Sequence, residues 1–579
     1  MPGGIDYNNR LIQFPNLIEA LEAAPGGQPF VTEWIDEDER RTVTFAEFRD
    51  RAQSHAGALA AQGVMDGDRV VIIMPQGIPA MTTFVAAMML GAVPAFLAYP
   101  NFKVEPSKYR SGLAGLTANL RAKAVVIDQE FPEEMLGCVA LGHETRLIRA
   151  GDNSAGAPGE GLLRKDRVEI RPGTLAFIQH SAGTTGLQKG VALTHGAVLR
   201  QLEYLAQSLR IDSARDRIYS WLPLYHDMGL IACFMLPMVG HIPVVMQSPL
   251  GWVMRPETLL QIVSEHRCTL AWMPNFAFQF VPRRTPSDRW AGYDLSSLRL
   301  LINCSEPVRT ASMRQFQSAL GIKDGVLQSS YAMAENVFAV TQSDIDRPSG
   351  PGRLWADGQC FRRDHRIVPV ETGSQGALAF TSSGQPLPNH QVRIVLDSGE
   401  LAEDGAVGEI AIKSDCLFEG YYNRPDLTAQ AVADGWYYTG DLGFCWRGEL
   451  YVVGRKNDLL IIGGENIYPQ DIEEIVGGHR SIHDGRAIAV GVYNPDLGTE
   501  DIIVVAEVEQ ADVLSNPVEL EQELRSRVVA AMGVAVRAIY LKPPKWIVKS
   551  TAGKPARPAT RDKLLREHPE LNSEMRNFA

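Results

Sequence analysis

Strand-like and helical runs alternate through most of this chain. "RVVIIMP" (Arg69–Pro75) is a nearly unbroken apolar run, followed by the helical "AMTTFVAAMMLGA" and then by "VPAFLAY"; the helical "YRSGLAGLTANLR" leads in the same way into "AKAVVID". Short apolar runs without polar alternation suit strands covered on both faces, and helices between them suit parallel connections. Two apolar stretches, 70–99 and 229–247, approach membrane-spanning length. Pro75, Gln76, Gly77 and Pro79 interrupt the first, and Pro237 and His241 the second, so both read as buried strand–helix–strand units.

The texture changes between about 385 and 455, where "QVRIVLDSGELAEDGAVGEIAIKS", "WYYTGDLGF" and "GELYVVGR" alternate short strands with turns. After Arg455, "AIAVGVYN" and "DIIVVAEVE" read as strands and "NPVELEQELRSRVVAAM" as an amphipathic helix. The expected fold is α/β. A large N-terminal domain over residues 1–455 holds two helix-covered mixed or parallel sheets plus a small β-rich subdomain, and a small α+β C-terminal domain covers 456–579, with the boundary at Lys456–Asn457.

Composition narrows the class. A chain of 579 residues is too long for one core and predicts two to four units. With 45% hydrophobic and 21% charged residues it reads as soluble and globular, and a net charge of −12 argues against a general nucleic-acid binder. The seven cysteines are scattered and never in C-x-x-C spacing, which fits a reducing compartment and neither a zinc site nor a disulfide frame. "MPGGIDYNNR" has no basic-then-apolar leader, so the expectation is a cytoplasmic protein without an integral membrane segment.

The chemistry concentrates first in "HSAGTTGLQKGV" (His180–Val191), lying between the strand-like "TLAFIQ" and "VALTH". Gly183, Gly186 and Gly190 let backbone N–H groups turn toward an anion, with Thr184, Thr185 and Lys189 adding hydroxyls and an ammonium. The spacing fails a Walker A loop, because Lys189 is followed by Gly190 and the loop returns as a strand instead of opening a helix. It nearly meets a nucleophile elbow around Ser181, but Gln179 stands where the first glycine is required and "GVALTH" is a returning strand. A glycine-rich hairpin that wraps a polyphosphate and a ligand-free surface hairpin both remain open at this level.

Taken with "LPLYHDMGL" (222–230), "SSYAMAEN" (329–336), "YYTGDLG" (437–443), "GRKNDLLIIGGENIYPQDIEE" (454–474) and "KSTAGKPAR" (549–557), this stretch resembles the adenylate-forming enzymes, which include acyl-CoA synthetases, luciferases and nonribosomal adenylation domains. Six motifs stand in the family's order over essentially the whole chain, and "WLPLYHDMGL", "MPNFAF" and "YPQDIE" make it most similar to the fatty acyl-AMP ligases. The resemblance implies ATP and Mg²⁺. It places Ser181, Gly183, Thr184, Thr185, Gly186 and Lys189 around the phosphates, and Ser305, Glu306, Pro307, Ser330, Tyr331, Ala332 and Met333 around the nucleotide, with Tyr331 against adenine. Asp441 and Arg455 fall on the ribose and Glu335 on the metal. Catalytic roles fall to Lys554, which would bridge substrate carboxylate and α-phosphate, to His226 and to Thr184. Asn457 takes the hinge position of a mobile C-terminal domain, where aspartate or lysine is more usual. Ala332 replaces a usual glycine, at little cost if its φ is negative.

The same resemblance implies a fatty acid substrate, with Trp221, Met228, Trp272, Phe276 and Phe278 walling an apolar pocket. Asp227 sits where amino-acid-activating relatives grip an α-amino group, so amino-acid adenylation stays as an alternative. Two signals bear on the acceptor. A long segment at about 354–380, including "CFRRDHRIVPVETGSQGALAF", is similar to the insertion that marks fatty acyl-AMP ligases and favours an acyl carrier protein, or a carrier domain of a polyketide or nonribosomal synthase. "GGENI" (463–467) is common in CoA ligases and favours free CoA. A carrier protein is the expected partner and CoA the alternative; a hydrolase on Ser181 and a non-catalytic sensor are the readings from other classes. The eight basic residues between Lys542 and Arg566 offer a docking face for an acidic carrier.

Overall fold

The computed structural model describes residues 11–100, 106–139, 141, 144–150, 168–180, 189–285, 290, 292–462, 465–494, 499–549 and 555–571. Its largest sheet has nine strands. Leu327–Ala332, Leu300–Asn303, Leu270–Met273, Ile218–Ser220, Val244–Gln247 and Pro29–Trp34 lie side by side and parallel, with antiparallel strands added at both edges. From Ile218–Ser220 the chain steps outward to Val244–Gln247, then crosses back to Leu270–Met273 and continues the other way. That reversal makes a topological switch point between the carboxyl ends of Ile218–Ser220 and Leu270–Met273, the place where open α/β sheets form the crevice that binds ligands.

A second, four-stranded sheet is wholly parallel, in the order Val93–Phe96, Arg69–Ile73, Ala124–Asp128, Arg146–Ala150. Helix Ile78–Met89 explains the long apolar stretch of sequence: it is buried almost all round, and Phe84 stacks on Phe96 while touching Phe177 and Phe234. The stretch after residue 228 is likewise interior, a π-helical segment Met228–Met235 continuing into Leu236–Gly240. Among the described residues no helix is long and apolar enough to cross a membrane.

Leu175–His180 and Gly190–Thr194 pair antiparallel, with His180 opposite Gly190, so the glycine-rich loop does return as a strand before helix His195–Leu209 begins. Gly420–Tyr421 adds a third strand to this hairpin. The β-rich unit is built on His390–Val395, Gly408–Ser414, Trp436–Trp446 and Glu449–Arg455. Its last two strands join through Arg447 and Gly448, both at positive φ (52° and 79°), the turn whose twist suits paired strands. That register sets Asp441 directly opposite Arg455.

The segment near 354–380 is a hairpin of its own, Arg353–Asp357 against Ala377–Thr381, with helix Gly358–Asp364 carried between them. Its apolar "IVPV" does not anchor it as a block. Ile367 is buried but Val368 is 41% exposed, because residues of extended chain face alternate sides. The anchor is Phe361, which packs on Phe380 and, beyond residue 455, on Tyr468. Past that point Ile482–Asn494, Thr499–Val508 and Ala538–Lys542 form a sheet. Helices Pro469–Gly477 and Pro517–Met532 share one hydrophobic cluster with it, and Leu564 of helix Arg557–Glu567 belongs to another.

Candidate active site

The large sheet delivers its candidate residues to one edge. Trp221, His226 and Met228 follow Ile218–Ser220, Phe276 and Phe278 follow Leu270–Met273, Ser305, Glu306 and Pro307 follow Leu300–Asn303, and Ser330 to Glu335 close Leu327–Ala332. Parallel strands make this convergence automatic, since all their carboxyl ends point the same way. Ala332 is part of its strand and is not among the residues with positive φ, so the missing glycine costs nothing here.

Tyr331, 8% exposed, donates its hydroxyl to Asp441 Oδ2 at 2.7 Å, and Arg455 Nε lies 3.2 Å from Asp441 Oδ1. Burial pushes the Tyr331 phenol well above its usual range, so the group is a fixed donor. The Asp441 amide donates to Thr439 Oγ1 at 3.0 Å, with Gly440 at φ 72° turning the chain. An aromatic ring, an acceptor-only carboxylate and a guanidinium thus meet at one point, the groups that a nucleoside requires for stacking and for its ribose hydroxyls.

Glu335 is held from below by a relay: its Oε1 accepts from Tyr421 Oη at 2.8 Å, whose oxygen is 3.2 Å from Tyr437 Oη. The Lys189 ammonium lies 4.4 Å from the Tyr421 ring centroid. Tyr421 therefore separates the cation of the glycine-rich hairpin from the carboxylate by one ring. This tyrosine was missed in the sequence; "GYYNRPD" carries no charge pattern that singles it out, and only the pairing of Gly420–Tyr421 with Ala192 and Val191 brings it in. Gln179 and His180 were also missed. Both are buried without a hydrogen-bond partner among the described residues, directly ahead of the loop, and burial pushes the His180 imidazole down to about 4.

On the other side of the crevice His226 Nδ1 lies 2.6 Å from Asp227 Oδ1, which orients the ring with its second nitrogen as acceptor when neutral. The same Asp227 oxygen accepts from the Met228 amide at 2.8 Å, capping the π-helical segment. Gly229 is required there, as a Cβ would lie 2.2 Å from the Pro223 carbonyl oxygen. Trp221 stacks on Trp252 at 3.7 Å, and Phe276, 39% exposed, stands edge-on to both. Trp272 and Phe278 lie deeper, fully buried, Phe278 against Phe316. Ser305 has positive φ (71°) with its hydroxyl 3.9 Å from the Met228 sulfur, and Glu306 accepts from the Phe276 amide at 2.9 Å.

Ser181, Gly183, Thr184, Thr185, Gly186 and Lys554 lie outside the described residues. The flanks of Lys554 are fixed, Lys549 pairing with Pro555 and the Ala556 amide donating to the Val548 carbonyl at 2.8 Å. Asn457 is exposed in the turn Lys456–Asp458. Four of the eight basic residues near the C-terminus are engaged within the chain, while Lys545 and Arg566 are exposed. Lys542 and Lys563 flank the Trp546 ring at 4.8 and 4.3 Å, Arg557 is bonded to Glu473, and Arg561 donates to the Gly491 carbonyl.

The family model described as AMP-binding enzyme matches residues 19–422. The 4-hydroxyphenylalkanoate adenylyltransferase of Mycobacterium tuberculosis is 30% identical over 561 residues, covering 90% of this chain and 86% of that protein. The long-chain-fatty-acid–AMP ligase FadD28 of the same species is 28% identical over 548 residues, covering 90% and 91%. A structure from a study of fatty acyl-adenylate ligases of E. coli and L. pneumophila superposes with a TM-score of 0.87 at 28% identity, over 97% of this chain and 99% of that one.

Proposed function

The chain belongs to the AMP-binding enzyme family and is a ligase, and we propose that it converts a fatty or other apolar carboxylic acid into its acyl adenylate and then passes the acyl group to the phosphopantetheine thiol of a carrier protein. The observation that carries the first half is the Tyr331–Asp441–Arg455 contact at the same edge of the sheet as the aromatic groups, two strands along from the strand that leads to Phe276 and three from the one that leads to Trp221 and Met228. The names of the two relatives span an aryl-bearing acid and long-chain fatty acids, and an aromatic-walled crevice suits both classes.

In the reaction a carboxylate oxygen forms a bond to the α-phosphorus of ATP, and the bond from that phosphorus to the bridging oxygen breaks, its electron pair leaving with pyrophosphate. Asp441 and Arg455 hold the ribose, Tyr331 holds the base, and Lys189 with the glycine-rich hairpin holds the departing phosphates. Lys554 neutralises the encounter of two anions. Glu335 fits a hard divalent cation: Tyr421 engages Oε1, Oε2 remains as an oxygen ligand, and no group of three metal-ligating side chains occurs among the described residues, as suits a site completed by phosphate oxygens. Mg²⁺, when bound there, supplies charge neutralisation to the phosphates.

The insertion supports the carrier as acceptor. Its helix reaches past residue 455: Phe361 lies on Tyr468 at 5.1 Å, Arg363 pairs with Glu465 at 2.8 Å, and Asn466 donates to the Arg362 carbonyl at 3.2 Å. Two residues of the "GGENI" stretch are therefore occupied by the insertion, which weakens the CoA reading. Asp227 is engaged by Met228 and His226, which weakens the amino-acid reading. Mass spectrometry of products from a fatty-acid panel with ATP, run with CoA and with holo-carrier protein, tests the proposal. Acyl-AMP accumulating with CoA and discharging onto the carrier supports it; efficient acyl-CoA formation refutes the carrier half.

A further inference from the structure

We propose that Asn336 is a positioning residue for Glu335, held by His390, Ser414 and Gln201 in a buried hub that ties together the three parts of the nucleotide site. The inference rests on the reading of Glu335 as the metal-binding carboxylate.

Asn336 follows Glu335 directly and has no exposed surface. Its Nδ2 lies 2.9 Å from the Ala339 carbonyl, 2.9 Å from His390 Nε2 and 3.2 Å from Gln201 Oε1, and its Oδ1 accepts from Ser414 Oγ at 2.5 Å. The Ala339 carbonyl, which can only accept, sets the orientation of the amide, and the Ser414 hydroxyl then donates to Oδ1. The tautomer of His390 follows as well. Its Nδ1 is 2.8 Å from the Pro388 carbonyl and must carry the proton, so Nε2 is the acceptor for Asn336. A side chain whose two N–H groups are shared among three acceptors and whose oxygen takes a hydroxyl cannot be exchanged without leaving buried polar groups unpaired.

The backbone shows what this hub restrains. Val337, a β-branched residue, sits at φ 62° and ψ −55°, and the Phe338 amide donates to the Asn336 carbonyl at 2.6 Å. This is a γ-turn of the strained, positive-φ kind, and it persists only where surrounding contacts over-determine it. The turn lies immediately after Ala334–Asn336, so it sets the direction in which Glu335 leaves the sheet. Releasing Asn336 lets the turn relax and swings the carboxylate away from Tyr421.

The partners are distributed in a telling way. Gln201 is on helix His195–Leu209, which runs on from the glycine-rich hairpin, and His390 and Ser414 are on strands of the sheet that carries Asp441. Arg200 and Tyr204 of the same helix add bonds to the Asp415 carbonyl at 2.7 Å and to Asp415 Oδ2 at 2.9 Å. The phosphate hairpin, the metal carboxylate and the ribose carboxylate are thereby fixed to one another behind the ligand, through Asn336.

The test is calorimetric binding of α,β-methylene ATP in excess Mg²⁺ and in EDTA, with thermal melts to confirm folding. The unmodified protein should bind tighter with Mg²⁺, and Glu335→Gln should lose that gain. Asn336→Leu should lose about tenfold of it, the lower end for a group that orients a metal ligand from behind, with little change in EDTA. The Glu335→Gln, Asn336→Leu double variant should be no worse than Glu335→Gln alone, since the second change acts through the first. A full Mg²⁺ gain in Asn336→Leu, or a further loss in the double variant, overturns the proposal. Retention of the gain in Glu335→Gln overturns both it and the reading of Glu335 on which it rests. If Asn336→Leu fails to fold, Ser414→Ala removes a single bond to the hub and carries the same comparison, with a smaller loss expected and no loss refuting it.

Discussion

Replacing Phe361 by alanine should loosen the C-terminal segment from the insertion far more than breaking the ion pair beside it. Phe361 is 1% and Tyr468 2% exposed, with ring centroids 5.1 Å apart and planes 25° from parallel. Tyr468 is covered on another side by the strand at Gly454, where a Cβ would lie 3.0 Å from its ring. About half of a buried aromatic surface of roughly 200 Å² is therefore owed to Phe361, worth about 2.5 kcal/mol at ~25 cal/mol/Å². The ring pair adds about 0.5–1.5 kcal/mol. Arg363 and Glu465, at 57% and 30% side-chain exposure, form a solvent-screened pair that adds little. Phe361→Ala should therefore shift the docked-to-undocked ratio by roughly 100-fold and Arg363→Ala by a few-fold at most. Amide hydrogen exchange across Leu460–Ile467 reads this directly, and acyl-CoA formation in Phe361→Ala reads its consequence. Equal loosening by both variants, or by neither, would show that Phe361 is not the anchor.

Further outcomes follow from the same site. Lys554→Ala should slow acyl-adenylate formation by at least ~100-fold while sparing thioester formation from supplied acyl-AMP; near-normal adenylation would remove the lysine from the mechanism. Lys189→Ala should raise the apparent KM for ATP and slow adenylation, whereas trapping of a covalent acyl group on Ser181 would restore the hydrolase reading. The buried His180, with its pKa pushed to about 4 against about 6.5 when unfolded, lets the unfolded chain bind the proton first as pH falls. Stability should therefore drop between about pH 6.5 and 4, by up to ~3 kcal/mol from this group, and His180→Phe should flatten that limb in denaturation midpoints; an unchanged slope would contradict it.

The sequence made the parallel sheets legible because strands buried on both faces leave continuous apolar runs, as at Arg69–Ile73 and Ala124–Asp128. Tyr331, Glu335 and Asp441 were legible because local motifs surround them. Tyr421 and Asn336 were not, since their roles arise from pairing over distances of 86 residues to Glu335 and 54 to His390, which leave no local pattern. The anchor of the insertion is hidden for a similar reason: "IVPV" is its conspicuous apolar run, but helix Gly358–Asp364 turns Phe361 inward and the extended chain after it exposes Val368.

The crevice between Ile218–Ser220 and Leu270–Met273 is proposed to join an apolar carboxylic acid to a nucleotide bound at Tyr331, Asp441 and Arg455. Exchange of radiolabelled pyrophosphate into ATP, measured with and without fatty acid, tests it most directly. Exchange should require both an apolar acid and Mg²⁺ and should collapse in Asp441→Ala; exchange independent of the acid, or driven by amino acids instead, rules this reaction out.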